Sequence, residues 1–174
     1  MRITHLRRFG LSAILASALV CFGMTQPAAA ETPDLSFTVD QATSAPGSTV
    51  SLTMTLTNNQ ATDVWFVYQS VQPTWPTTQR KDLKYSFVSC TSEGASCTGT
   101  GTTGLGVNYE IPLAPGASRT VTLTYQIAAD SGCNGNIGFY SYLYYEYNNG
   151  QNVKDGIYNT PETRVTCPAP APAL

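Results

Sequence analysis

One strand pattern occurs twice in this chain. Residues 45–59 read A-P-G-S-T-V-S-L-T-M-T-L-T-N-N, and residues 114–127 read A-P-G-A-S-R-T-V-T-L-T-Y-Q-I. In each, a Pro-Gly turn releases a run of strict two-residue period. Val50, Leu52, Met54 and Leu56 in the first copy, and Val121, Leu123, Tyr125 and Ile127 in the second, alternate with residues that are almost all Ser or Thr. Successive side chains of a strand point to opposite faces, so each copy presents one apolar face to a core and one hydroxyl face to water. Proline presets φ and glycine accepts positive φ, which suits the turn that precedes each strand.

The pattern continues along the chain. Alternating apolar residues predict strands at 35–40, 49–57, 84–90, 105–111, 118–128 and 137–147, with Asn148-Asn149-Gly150 as a hairpin turn. Residues 64–71 are apolar on both faces, which predicts a strand buried more deeply than its neighbours. Residues 72–82, with Pro73 and Pro76, read as a long loop or an edge, and residues 91–106, rich in Gly, Ser and Thr, as mostly loop. Asp155-Gly156 reads as a turn or bulge before a final strand at 157–167, and no helix is predicted after residue 30. About eight short strands at this spacing predict an all-β fold, an immunoglobulin-like Greek-key β-sandwich of about 7–9 strands.

The ends of the chain have a different composition. Arg2, Arg7 and Arg8 precede an apolar run at 11–23, and Pro27-Ala28-Ala29-Ala30 supplies small residues for cleavage, so residues 1–30 read as a secretory signal peptide. Arg7-Arg8 as a twin-arginine signal and Cys21 as a lipidation site are the alternatives at this end; removal of Cys21 with the signal is preferred. Residues 31–167 then form one sandwich domain, and residues 168–174 a short Pro/Ala-rich disordered tail. After residue 30 there are six Lys and Arg against eleven Asp and Glu, a net charge of −5. With no basic run, nucleic acid and anionic membrane surfaces are poor partners, and no later stretch is apolar enough to span a bilayer.

Cys90, Cys97, Cys133 and Cys167 remain. An even number in an exported chain reads as disulfides, and four cysteines allow three pairings among which sequence does not choose. The pairing expected is Cys90 with Cys97 and Cys133 with Cys167, with loop closures of about 2.5 and about 4 kcal/mol on the chain-entropy model.

The two Pro-Gly strands also carry a resemblance. Pro46-Gly47 through Asn58-Asn59, and the later run from Leu113 to Thr124, resemble the bacterial secreted and surface immunoglobulin-like conserved-repeat family. The cysteine-bearing stretch from Tyr85 to Cys97 lies where such domains often place theirs, whereas Gln60 stands where that family commonly has glycine. The resemblance implies an extracellular or envelope module without known chemistry, and it implies no functional residues.

Catalysis finds little support. His5 is the only histidine and lies in the signal, which removes the commonest general base, the triads built on it and the commonest metal ligand. No G-x-S-x-G, phosphate loop or H-E-x-x-H is present. The carboxylates are scattered, and only a concave gathering of residues such as Asp63, Asp82 and Glu110 would revive an enzyme. No metal site and no cofactor are expected: Asp130, Asn134 and Asn136 offer oxygens for calcium, but turn formation is the simpler reading. An internal Lys-Asn cross-link has Lys84 or Lys154 available, with no further sequence support.

The tyrosine-rich strand is the strongest positive signal. Phe139, Ser141, Leu143, Tyr145 and Tyr147 fall on one face, and Tyr140, Tyr142, Tyr144 and Glu146 on the other. If the first face is core, the second presents rings about 7 Å apart, at ~3.4 Å rise per residue. Such a row stacks on sugars or holds a protein, and Trp75 between prolines extends it; cross-strand pairing that merely covers the sheet is the alternative. The expected protein is therefore a non-enzymatic immunoglobulin-like module, secreted or held in the periplasm or cell envelope, with a structural or protein-interaction role. A carbohydrate-binding module using Trp75, Tyr140, Tyr142 and Tyr144 on a polysaccharide is the second reading, and a small secreted hydrolase or inhibitor the third.

Overall fold

The computed structural model describes residues 34–167. The expectations for residues 1–30 and 168–174 lie outside the described residues. In chain order the elements are β1 (Leu35–Val39), β2 (Thr43–Ser44), β3 (Thr49–Thr57), β4 (Val64–Pro73), α1 (Trp75–Gln79), β5 (Tyr85–Ser92) and β6 (Ala95–Thr98). They continue as β7 (Leu105–Tyr109), β8 (Ser118–Ile127), β9 (Gly135–Ile137), β10 (Phe139–Tyr147), β11 (Asn152–Asn159) and β12 (Thr163–Val165).

The two copies of the repeated pattern are β3 and β8, and they are neighbours. They pair antiparallel, with Leu52 opposite Leu123 and Met54 opposite Val121. Each is launched by the same turn: Ser48 N–H donates to Ala45 O at 3.1 Å and Ala117 N–H to Ala114 O at 3.0 Å. With proline at the second position and φ of +86° at Gly47 and +73° at Gly116, both are type II turns. Flanked by β1 and β5, the pair makes a four-stranded sheet in the order β1-β3-β8-β5. A five-stranded sheet, β11-β10-β4-β7-β6, lies over it, and a small sheet, β2-β12-β9, completes the fold. The fold is an immunoglobulin-like β-sandwich.

The alternating residues of both sheets meet in one core. Val50, Leu52, Met54, Val121, Leu123 and Ile127 come from the four-stranded sheet; Val71, Val107, Leu143 and Phe139 come from the other. Tyr85, Phe87, Tyr125 and Phe139 form a ring cluster with centroids 5.0–6.2 Å apart, in edge-on and tilted arrangements that suit aromatic quadrupoles. Gln69 is buried among these residues, and its amide reaches Ser141 Oγ at 2.8 Å and the Tyr109 hydroxyl. Those partners satisfy a group that would be costly to bury alone. Burial pushes the Tyr85 and Tyr125 phenols up to about 12.

Cys90 is bonded to Cys97, and Cys133 to Cys167. The first bridge joins β5, an edge strand of one sheet, to β6, an edge strand of the other, and so closes that side of the sandwich. The segment at 91–106 is thus not mostly loop: after Glu93-Gly94 the chain crosses sheets and forms β6 along β7. Gly94, at φ +75°, permits the reversal.

Four other expectations are corrected. Residues 75–79 form a short helix with proline in its first turn, the one helical place where a missing N–H costs nothing. Residues 137–147 are not one strand: the chain passes from the small sheet to the five-stranded sheet at Gly138, where a Cβ would lie 2.8 Å from Glu162 Cγ. Asp155-Gly156 does not turn; β11 runs straight through it, with Gly156 opposite Leu143. Ile111 lies beyond β7 and is exposed. The Asn-Asn-Gly hairpin forms as the sequence predicts, with Asn149 and Gly150 at φ +53° and +77° and Gln151 N–H donating to Asn148 O at 3.1 Å.

Candidate binding face

The register of β4, β10 and β11 sets which side chains leave the core together. Tyr142 stands opposite Ser70 on one side and Ile157 on the other; Tyr144 stands between Tyr68 and Asp155, and Glu146 between Phe66 and Val153. Because the inner partners Ser141, Leu143 and Tyr145 are buried, all of these point away from the core. The outcome is an exposed apolar face. Phe66 is 46% exposed, Tyr68 52%, Val153 56% and Ile157 69%.

Residues 64–71 therefore differ from the expected deeply buried strand. Val64 and Val71 are buried, but the apolar residues between them include an outward set that stays in solvent. Phe66, Tyr68, Val153 and Ile157 belong to the face although nothing in the sequence reading placed them there. The signal for the β4 pair was present: a half-buried strand with no polar face has to show apolar surface on its solvent side.

The three outward tyrosines of β10, Tyr140, Tyr142 and Tyr144, are half-buried. Tyr142 meets Tyr68 with centroids 6.1 Å apart and planes at 58°; Tyr144 meets Phe66 at 6.1 Å and 70°. The rings are tilted against each other, so they make a ridged surface and not a flat shelf. Their hydroxyls engage the carboxylates of the face: Tyr144 donates to Glu146 at 3.0 Å and Tyr142 to Asp155 at 3.5 Å. The hydrogen bond to Glu146 raises the Tyr144 phenol above its ordinary value. The outward positions of β4, β10 and β11 carry Glu146 and Asp155 and no lysine or arginine.

Trp75 stands at one end of this face and is 75% exposed. It is held there by the short helix, which is pinned to the crossover at Gly138: Gly138 N–H donates to Thr77 Oγ1 at 2.9 Å, and Thr74 N–H donates to Gly138 O at 2.9 Å. Trp75, Pro76, Tyr140, Ile157, Asn159 and Glu162 line a groove of about 600 Å³. Trp75 and Tyr140 thus share the groove, while Tyr142 and Tyr144 extend along the open sheet.

The opposite outer face has other chemistry. Across β3 and β8, Thr53 lies 3.2 Å from Thr122, Thr55 3.0 Å from Thr120 and Thr57 2.8 Å from Ser118, hydroxyl to hydroxyl. These groups satisfy one another.

Other polar candidates are dispersed. Asp130 pairs with Lys84, Asn134 donates to Cys167 Sγ at 3.2 Å, and Asn136 donates to Glu162 at 2.6 Å, so the three residues considered for calcium face three different partners. Asp82 is held by Arg80 through two hydrogen bonds, at 2.9 and 2.8 Å, which lowers its pKa. Among the described residues no three His, Cys, Asp or Glu side chains converge as metal ligands would, and no helix is long and apolar enough to cross a membrane.

No protein-family model and no curated protein matches the chain. Solved structures do. A cohesin module from a family 33 glycoside hydrolase of Clostridium perfringens is 11% identical with a TM-score of 0.55, over 78% of this chain and 97% of that one. The sixth cohesin of Acetivibrio cellulolyticus scaffoldin B, solved in complex with a Cel5 dockerin, is 10% identical with a TM-score of 0.52, over 78% and 100%. The major pilin subunit of Bacillus cereus is 5% identical with a TM-score of 0.55, and the match spans 79% of this chain but 41% of the pilin. At these identities the likeness is one of fold.

Proposed function

We propose that this protein is a non-catalytic module, exported to the envelope or beyond, that docks a protein partner through the outer face of its five-stranded sheet. The observation that carries the reading is the exposed group Phe66, Tyr68, Val153 and Ile157 around Tyr142 and Tyr144. A contiguous apolar patch on a small protein is costly to leave in water and marks interaction surface. Tyrosine suits such a surface, because it offers contact area with a polar tip and few rotamers to lose. The ridged packing of the rings fits the irregular surface of a protein better than the flat ring of a sugar. The face carries carboxylates and no cations, so its partner brings apolar side chains and basic residues. The likeness to a cohesin solved with its dockerin supports a docking role for the fold. Export rests on the signal-like residues 1–30 together with two disulfides.

The groove beside Trp75 supports a second reading, carbohydrate binding. An exposed indole and a tyrosine, with Asn159 and Glu162 as hydrogen-bonding groups in the lining, are the parts a sugar site uses. A polysaccharide panel titrated against intrinsic fluorescence separates the two: a saturable shift lost in Trp75→Ala establishes the sugar site. The docking reading is tested by a photo-crosslinking amino acid at Tyr68 and, in a second variant, at Thr120, in the cells that export the protein. Docking predicts a discrete adduct from position 68 and none from position 120. Adducts from neither position, or from both equally, contradict it.

A further inference from the structure

The disulfide between β5 and β6 closes one side of the sandwich, and the other side, where β1 and β3 face β11, carries a different constellation. Asp34, immediately before β1, is 3% exposed. Its two carboxylate oxygens hold two different groups. Lys154 Nζ of β11 lies 2.7 Å from Oδ2, and Asn59 Nδ2, just past the end of β3, donates to Oδ1 at 3.1 Å. Tyr145, directly opposite Lys154 across β10 and β11, is kept protonated by burial and by the nearby charge of Asp34, and its oxygen accepts from Gln60 Nε2 at 2.8 Å. An amine, a carboxamide and a buried acid are therefore gathered from three separate strand ends.

These three groups are the components of an amide-forming reaction. The Asp34 carboxylate is buried while the Lys154 side chain beside it stays 41% exposed, and in the reaction one proton passes from Nζ to Oδ2, which frees the amine lone pair. The amine is then a nucleophile, held beside the carboxamide by the same carboxylate. We propose that Lys154 and Asn59 join through an intramolecular isopeptide bond, with Asp34 as the proton carrier.

The step balances without any co-reactant. The Nζ lone pair attacks Asn59 Cγ and forms the new C–N bond, while the carbonyl electron pair moves to Oδ1. On collapse the Cγ–Nδ2 bond breaks and its electron pair leaves on nitrogen. Of the two protons lost by the lysine ammonium, Asp34 delivers one to Nδ2, which departs as ammonia, and the other returns to solvent. No atom changes oxidation state. The product ties the end of β3 to edge strand β11. With Cys90–Cys97 at the opposite side, both open sides of the sandwich are then closed covalently.

Intact mass spectrometry of the purified, reduced protein tests this, with Lys154→Arg as the reference so that the position of the N-terminus cancels. The expected result is that the wild-type protein is lighter than its reference by one ammonia beyond the Lys-to-Arg difference. Asp34→Asn restores the missing ammonia, and a peptide map of the wild-type protein contains a branched peptide joining Lys154 to Asn59. A wild-type mass with no deficit overturns the proposal. A deficit of one water overturns it as well, because the bond would then join Lys154 to Asp34. Because the primary reading is made on the wild-type chain, a variant that fails to fold does not rescue the idea.

Discussion

The two outer faces of the sandwich are built on the same strand geometry and have opposite surface chemistry. On the four-stranded sheet, three hydroxyl pairs meet across β3 and β8, with their oxygens 2.8–3.2 Å apart. On the five-stranded sheet, Phe66, Tyr68, Val153 and Ile157 stand in solvent around half-buried tyrosines. Both faces cover the same core, so core packing does not explain the difference. A solvent face made only to be soluble looks like the first. The second retains apolar area that water disfavours, at about 25 cal/mol per Å², and the proposed docking role accounts for that cost.

The largest effects should come from residues that serve neither outer face. Phe139, 1% exposed in the aromatic cluster, is expected to cost about 3–5 kcal/mol on truncation to alanine, measured by denaturant unfolding. Tyr68→Ala, on the aromatic face, should cost no more than about 1 kcal/mol by the same measurement. If the two values are similar, the aromatic face is structural cover and the contrast between the faces collapses. Loss of the edge closure in the Cys90→Ser/Cys97→Ser double variant should remove about 2.5 kcal/mol.

Alkali should act on the core and leave the hydroxyl face indifferent. The folded state raises Tyr85 and Tyr125 to about 12, so it favours their neutral forms. The stability this confers is complete below the unfolded phenol value of about 10 and is lost as pH rises through the folded value. Unfolding followed by circular dichroism should therefore set in between about pH 10 and pH 12, together with tyrosinate absorbance. Ionisation of these two tyrosines at their unfolded value, with the fold intact, would contradict their burial.

The smallest effect is expected on the hydroxyl face. Replacing both members of one threonine pair, Thr53→Val with Thr122→Val, removes a satisfied hydrogen bond without leaving an orphan, and should change stability by less than about 1 kcal/mol.

The parts of this fold that depend on neighbours in sequence were legible. Pro46-Gly47, Pro115-Gly116 and Asn149-Gly150 dictate their turns through φ alone, and the alternation of Val121, Leu123 and Tyr125 dictates which side is buried. That the two repeated strands pair with each other was not legible, because it is a contact between segments some seventy residues apart. The outward face of β4 was ambiguous for a different reason: apolar residues on both sides of a strand describe either deep burial or an exposed patch, and only the partner strands decide. Trp75 stood out by composition, but its position over the groove depends on the hydrogen bonds between Thr77 and Gly138, which no local pattern announces. The cluster of Asp34, Asn59 and Lys154 is likewise assembled from three distant strand ends.

The most direct measurement compares the faces within one experiment: partner capture from the cells that make the protein, by immobilised wild-type protein, by a Tyr68→Ala/Ile157→Asp variant and by a Thr53→Asp/Thr120→Asp variant, each first shown to unfold at a similar denaturant midpoint. A docking role for the aromatic face predicts that a discrete partner is retained by the wild type and by the threonine variant, and is lost at least tenfold in the aromatic variant. Equal retention by all three, or equal loss in both variants, would contradict it.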